Sequence, residues 1–229
     1  MVDRIRYTAF FIVLSASCMY YWLTIGGEGR WWLLWPGLSS IVLAAAYGLN
    51  RPSLICGKDS TGHVSPFLLL INLPWLAFTW LLWIIIALLS RESTLSLIPG
   101  TNVFISRYPL FGVNLSEFDR IFDLTSEFPR FYEPVAQYQC FSNLDGIALC
   151  NLQLLPLLNS EERILIHCAQ GHGRSATFAS LLLAGHSMFA TPEAVHLAII
   201  SVRPRAKLAS SQQFQLRSNS EIQNQSKVF

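Results

Sequence analysis

A cysteine and an arginine, separated by five residues, form the segment with the clearest potential for chemistry. The stretch IHCAQGHGRSA at 166–176 contains Cys168 and Arg174. Glycines at 171 and 173 allow the loop to turn its backbone N–H groups inward, where they would bind an anion together with the start of a following helix. The planar guanidinium of Arg174 can contact two oxygens of that anion. The same positive surroundings favour the thiolate of Cys168, which is a nucleophile. We therefore predict phosphoryl transfer from a bound phosphomonoester to Cys168, followed by hydrolysis.

The predicted phosphate-binding loop comprises Ala169, Gln170, Gly171, His172, Gly173 and Arg174. A cysteine that ends a buried strand is more often a small core residue. The combination of strand, His-Cys, five residues, Arg-Ser and helix is much rarer, and it favours the catalytic interpretation. The nucleotide-binding pattern GxxxxGK[ST] does not occur in the sequence, so a nucleotide-hydrolysing loop is not indicated.

Short β-like runs alternate with helical patterns from residue 91 onward, which predicts an α/β layered fold. The apolar run 163–167 reads as a buried parallel strand that delivers Cys168 to its loop. The other predicted strands are 102–106, 120–124 and 138–141. The predicted helices are 176–188, 192–202 with Thr191 as its cap, and 210–218, followed by a frayed polar tail. The latter part of 146–158 could also be helical.

The overall composition averages over two different regions. The chain has 229 residues, of which 52% are hydrophobic and only 13% charged, against about 25% charged in an ordinary domain. Residues 1–90 hold five basic and three acidic side chains, whereas residues 91–229 hold 11 of each. Uncharged apolar runs at 7–25, 31–49 and 67–89 are each long enough to span a bilayer as a helix.

We therefore predict a helical membrane region of about three spans over 1–90 and a catalytic domain over 91–229. Two alternatives remain open: the first run could be a signal peptide, and Pro36-Gly37 could make the second run re-entrant. The electrically balanced catalytic region gives no indication of nucleic-acid binding.

Five cysteines without a CxxC pattern indicate neither a disulfide framework nor a zinc site. No metal and no cofactor is expected. Free thiols suit a reducing compartment, which favours a cytoplasmic catalytic domain. The flanking basic residues, four on one side against three on the other, weakly favour the opposite orientation.

The loop motif resembles that of the cysteine-based protein tyrosine phosphatases, in the dual-specificity branch. The resemblance covers about residues 97–218 and extends to PGTNVFISR (99–107), FDLTSEF (122–128), Arg203-Pro204 and Gln212-Gln213. It implies a central sheet flanked by helices.

The resemblance also implies roles for individual residues. An aspartate upstream of the nucleophile serves this family as general acid, and Asp145, 23 residues before Cys168, occupies the corresponding place. Asp123 is a rival that lies less favourably, inside a predicted strand. His167 would orient the loop, and Ser175 would donate a hydrogen bond to the sulfur. Cys140 is either a core residue or a disulfide partner of Cys168 under oxidation.

Three functions remain open at this stage. The first is a membrane-anchored phosphatase for phosphotyrosine and phosphoserine or phosphothreonine in proteins. The second applies the same chemistry to a phospholipid such as a phosphoinositide or phosphatidylglycerol phosphate, because only Ser90-Arg91 separates the third run from the catalytic region. The third is an inactive membrane scaffold.

Overall fold

The computed structural model describes residues 2–110, 112–132, 137–150, 161–184 and 189–226, with side chains up to residue 220. The chain divides into two compact units. The first comprises residues 1–90 together with 126–129, and the second comprises 91–125 and 130–229.

The first unit is helical. Its helices are α1 (Val2–Thr24), a 3-10 helix (Glu28–Leu33), α2 (Leu34–Leu49), α3 (Ser53–Cys56) and α4 (Pro66–Leu89). Within the described residues, the segments Val2–Thr24, Glu28–Leu49 and Pro66–Leu89 are long and apolar enough to cross a membrane. Helix α4 begins where Pro66 follows Ser65, whose hydroxyl accepts a bond from the Leu68 N–H.

Polar contacts join the helices of this unit. The Asn72 side chain is fully buried and donates to the carbonyls of Leu54 (3.0 Å) and Ile55 (2.7 Å), which would otherwise lack partners at a helix end. Residues 126–129 pack into the same unit, where the Trp80 indole donates to the Glu127 carbonyl at 2.9 Å.

The second unit is built on a five-stranded sheet in the order β1-β2-β5-β3-β4. The strands are β1 (Leu95–Leu97), β2 (Val103–Ser106), β3 (Arg120–Thr125), β4 (Gln137–Asn143) and β5 (Ile164–His167). Only the β1–β2 pair is antiparallel. Among the described residues, its α-helices are α5 (Gly173–Leu183), α6 (Pro192–Val202) and α7 (Ser210–Ser226). Parallel neighbours on both sides bury every residue of β5, as its unbroken apolar sequence predicts.

The predicted α/β fold is confirmed, with differences in detail. Strand β1 and helix α3 were not predicted, because three and four residues are too short to show a period. Helix α7 continues to Ser226, so the prediction that the chain frays after Ser218 is wrong. Most of the uncertain helix within 146–158 lies outside the described residues.

Candidate active site

Strand β5 carries Cys168 to the carboxyl end of the sheet. In open α/β sheets this edge is where ligands bind. Ile166 pairs with Ile105 of β2 on one side and Phe122 of β3 on the other, so the strand before the cysteine is fixed from both sides. The Cys168 side chain is 3% exposed, and its Sγ lies at the start of the loop that leads into α5.

The carbonyl groups of the loop are held by residues outside it. The Ala169 carbonyl accepts a hydrogen bond from the Tyr108 N–H at 3.0 Å, and the Gln170 carbonyl accepts one from Nη2 of Arg203 at 3.2 Å. The Gly171 N–H donates to Cys168 Sγ at 3.2 Å. A thiolate is stabilised by such a backbone donor, and the phosphate-binding role of the loop stays a prediction.

Arg174 is fully buried in the first turn of α5. Its Nη1 donates to the carbonyls of Leu124 (3.3 Å) and Asn143 (3.0 Å), at the ends of β3 and β4. These two bonds fix the plane of the guanidinium. Its Nε lies 3.2 Å from Oδ1 of Asp145.

Asp145 is brought to the site, and its rival is not. The Asp145 side chain is 69% exposed and lies two residues after β4, beside Arg174. Asp123 is fully buried in β3, where it accepts bonds from Thr125 and from the Tyr138 hydroxyl. A carboxylate so enclosed has no path to a substrate, which leaves Asp145 as the candidate acid.

His167 belongs to a buried polar cluster beneath the loop. Its Nε2 is hydrogen-bonded to the Tyr132 hydroxyl at 2.8 Å, and its Nδ1 lies 3.9 Å from Asp123. Burial, together with the Asp123 charge, raises the pKa values of Tyr132 and Tyr138, so both phenols stay neutral donors. The predicted role of His167 in orienting the loop stays a prediction, and Tyr132 is a partner that no sequence motif indicates.

Two further predicted contacts, from Ser175 and from Cys140 to the Cys168 sulfur, are not seen among the described residues. Within the described residues, the buried Ser175 hydroxyl has no hydrogen-bond partner, so its donation to Sγ stays a prediction. Cys140 and Cys168 are both free thiols. Cys140 pairs with Asp123 and Asp123 pairs with His167, so β3 separates the two cysteines by about two strand spacings, roughly 9–10 Å. That exceeds the distance a disulfide spans, and the oxidation alternative is not supported.

His172 does not face the solvent freely, because its Nε2 donates to Oε2 of Glu92 at 2.5 Å. Glu92 precedes β1 and also lies 3.5 Å from Nη2 of the buried Arg203. Burial raises the pKa of Glu92, but the His172 hydrogen bond and the Arg203 charge outweigh it and leave that pKa below its usual range. Sequence reasoning missed Glu92, which lies outside any motif.

A cavity of about 230 Å³ opens above the loop. Loop residues line one side of it, and Asp145, Lys207 and Gln212 contribute from other elements. The volume is below that of common drug-sized sites and suits a phosphoryl group with part of its leaving group. The cavity therefore brings together the thiol of Cys168 and the Asp145 carboxylate that contacts the Arg174 guanidinium.

Comparison with known families gives a match for part of the chain. Residues 119–228 match the family model described as a Swiss Army Knife protein, DSP-PTPase phosphatase domain. Residues 119–228 therefore belong to a phosphatase domain of the cysteine-based tyrosine phosphatase superfamily, dual-specificity branch. No curated protein matches the chain in sequence.

Solved structures resemble the phosphatase domain at low identity. Tk-PTP in its active form is 22% identical, with a TM-score of 0.46, covering 56% of this chain and 97% of its own. Human DUSP28 is 16% identical, with a TM-score of 0.48, covering 57% and 95%. PTPMT1 in complex with PI(5)P is 19% identical, with a TM-score of 0.46, covering 59% and 99%.

Gly171 is the loop position with the least room for a side chain. Its φ is +70°, and a Cβ there would lie 2.5 Å from the Ser106 carbonyl oxygen. We expect Gly171→Ala to displace the loop and lower kcat/KM for p-nitrophenyl phosphate by about 100-fold, since misplacement by about 1 Å costs that much. Gly112 has the same handedness (φ +72°) but open space around it, so Gly112→Ala is the matched control. Equal activity of the two variants would show that the close approach to Ser106 does not matter.

Proposed function

We propose that the protein is a membrane-anchored, cysteine-dependent phosphatase that hydrolyses phosphotyrosine and phosphoserine or phosphothreonine in proteins. The observation that carries the proposal is that one small cavity is lined by a thiol that accepts the Gly171 N–H and by a carboxylate that lies 3.2 Å from a buried guanidinium.

The first step transfers the phosphoryl group to the enzyme. The substrate phosphate binds the loop N–H groups and takes the place of the Asp145 carboxylate at Nε of Arg174. The Cys168 thiolate attacks phosphorus, the bond from phosphorus to the leaving oxygen breaks, and the Asp145 carboxyl gives its proton to that oxygen. A phosphocysteine results.

The second step releases inorganic phosphate. The Asp145 carboxylate, now deprotonated, takes a proton from water as the water oxygen attacks phosphorus. The P–S bond breaks, and the thiolate returns to the hydrogen bond from Gly171. The Ser175 hydroxyl is proposed to donate to the departing sulfur, which would give this buried group a partner.

The charge around the cavity favours a phosphoprotein over a polyphosphorylated lipid headgroup. His172 is the loop residue that could add a second positive charge, and it is bonded to Glu92. Asp145 adds a negative charge to the lining of the cavity, and the exposed Lys207 adds a positive one. A headgroup with several phosphates needs more positively charged side chains than line this cavity.

Side-by-side assays test this substrate assignment. We expect kcat/KM for phosphotyrosine and phosphoserine peptides to exceed that for phosphoinositides and phosphatidylglycerol phosphate in mixed micelles. Lipid turnover that is faster by orders of magnitude would replace the protein substrate with a lipid. A wild-type protein that turns over neither class, nor p-nitrophenyl phosphate, would favour the inactive scaffold.

Asp145→Asn tests the acid. We expect kcat for phosphoserine peptides to fall by about 10²- to 10⁴-fold, because the alkoxide leaving group needs a proton. The loss should be much smaller for p-nitrophenyl phosphate, whose leaving group departs without one. Asp119→Asn, at an exposed carboxylate elsewhere in the domain, is the control and should change neither rate appreciably. Equal losses on both substrates would assign Asp145 a binding role instead.

Membrane anchoring rests on the three long apolar helices, and we propose a cytoplasmic catalytic domain because a reactive thiolate persists in a reducing compartment. A reporter fused after Phe229 tests the orientation. A reporter active only on the external side would reverse it.

A further inference from the structure

We infer that Glu92, acting through His172, is a positioning residue that holds the phosphate-binding loop in its anion-binding shape. The inference rests on the proposed function of that loop. Glu92 touches neither Cys168 nor the reacting phosphate in this mechanism, so its effect has to pass through the loop.

The contact between Glu92 and His172 lies at the residue where the loop turns into helix α5. His172 precedes α5 with φ −111° and ψ −85°, outside helical geometry, and its side chain makes no capping bond. The preceding residue, Gly171, is the one whose N–H donates to Cys168 Sγ. Fixing the His172 ring on Glu92 therefore restrains the part of the loop that faces the sulfur.

Glu92 reaches the loop a second time through Arg203. Nη2 of the buried Arg203 lies 3.5 Å from Oε2 of Glu92 and donates to the Gln170 carbonyl at 3.2 Å. A guanidinium has a rigid plane, so the carboxylate that orients one edge also orients the bond to Gln170. Two of the five residues between Cys168 and Arg174 are thus tied to one carboxylate.

Glu92 is itself held firmly enough to serve as a reference point. Its side chain is only 11% exposed, and its own carbonyl accepts a bond from Nη2 of Arg107 at 2.6 Å. A hydrogen bond with one ionised partner, here the Arg107 guanidinium, is about twice as strong as a neutral one, which makes the geometry hard to distort.

Variants of full-length protein in detergent micelles test the inference. Glu92→Gln keeps the volume but removes the charge, His172→Ala removes the ring, and the double variant removes both. We expect each single variant to lower kcat/KM for p-nitrophenyl phosphate and the affinity for vanadate by about 10- to 100-fold. Vanadate binds the loop as a phosphate mimic without turnover, so it reports on loop shape rather than on acid catalysis.

The double variant should lose no more than the worse single variant, because loss of the His172 ring removes only a contact that Glu92→Gln has already weakened. Losses that multiply would show that Glu92 does not act through His172. Glu117→Gln, at a half-exposed carboxylate paired with Arg163, is the control and should stay within twofold of wild type.

Thermal unfolding separates positioning from loss of fold. If Glu92→Gln lowers the yield of folded protein, Glu92→Asp, which keeps the charge but withdraws it from His172, should show the same kinetic defect. Activity within twofold of wild type in folded Glu92→Gln and Glu92→Asp overturns the inference while the proposed function stands. A wild-type protein without turnover would refute the proposed function instead.

Discussion

Cys168→Ser should abolish phosphomonoester hydrolysis, lowering kcat for p-nitrophenyl phosphate by at least about 10⁴-fold. A serine hydroxyl in the same position is a far weaker nucleophile than a thiolate, and the surrounding donors do not activate it by taking its proton. The substitution is nearly isosteric in a site that is 3% exposed, so the fold should be retained.

The phosphocysteine gives this prediction a direct readout. Quenching the Asp145→Ala variant during turnover should trap phosphate on the protein, and the trapped label should be missing when Cys168→Ser is added. Cys140→Ala, at a buried cysteine of β4 whose thiol donates weakly to the Thr125 carbonyl at 3.8 Å, is the control and should retain turnover. Residual wild-type-like turnover in Cys168→Ser would rule out the covalent route.

Arg174→Lys should lower kcat/KM by about 10³-fold, the scale expected when a preorganised donor to transition-state charge is lost. Lysine keeps the positive charge but has no planar fork. It cannot hold the Leu124 and Asn143 carbonyls and at the same time present two N–H groups to a phosphate. We choose lysine over alanine because alanine would leave those two buried carbonyls without donors.

Separate kcat and KM values distinguish the possible outcomes. A guanidinium that stabilises charge in the transition state predicts a fall in kcat as well as a rise in KM. Arg163→Lys, at a half-exposed arginine in the same domain, should change neither by more than about twofold. A rise in KM alone would restrict Arg174 to substrate binding.

The parts of the site that sequence reasoning located are those whose chemistry is encoded in adjacent residues. Cys168 and Arg174 are six positions apart, and the fold between them is a strand end, a loop and a helix start. Asp145 followed only from the family resemblance, because an Asp-Gly pair after a strand is otherwise an ordinary turn. The structure adds the 3.2 Å contact that singles it out.

The parts that sequence reasoning missed reach the site through tertiary contacts. Tyr132 is 35 positions from His167, and Glu92 is 80 positions from His172. Nothing near either residue in sequence indicates that contact, because it depends on how β1, β3 and the loop come together. The strands of four or more residues were predictable from an apolar run or its period, whereas β1, with three residues, was not.

The position of Glu92 has a consequence for how the two regions of this chain can be recombined. Helix α4 ends at Leu89 and Glu92 follows three residues later, ahead of the first strand. The next carbonyl, that of Ser93, also accepts a bond from Arg203. The segment between α4 and β1 therefore belongs, from Arg91 onward, to the second unit and is not only a linker. A soluble fragment cut at Leu95, or a chimaera joined there, would keep every residue of the Cys-x5-Arg motif and still lack the carboxylate that restrains it.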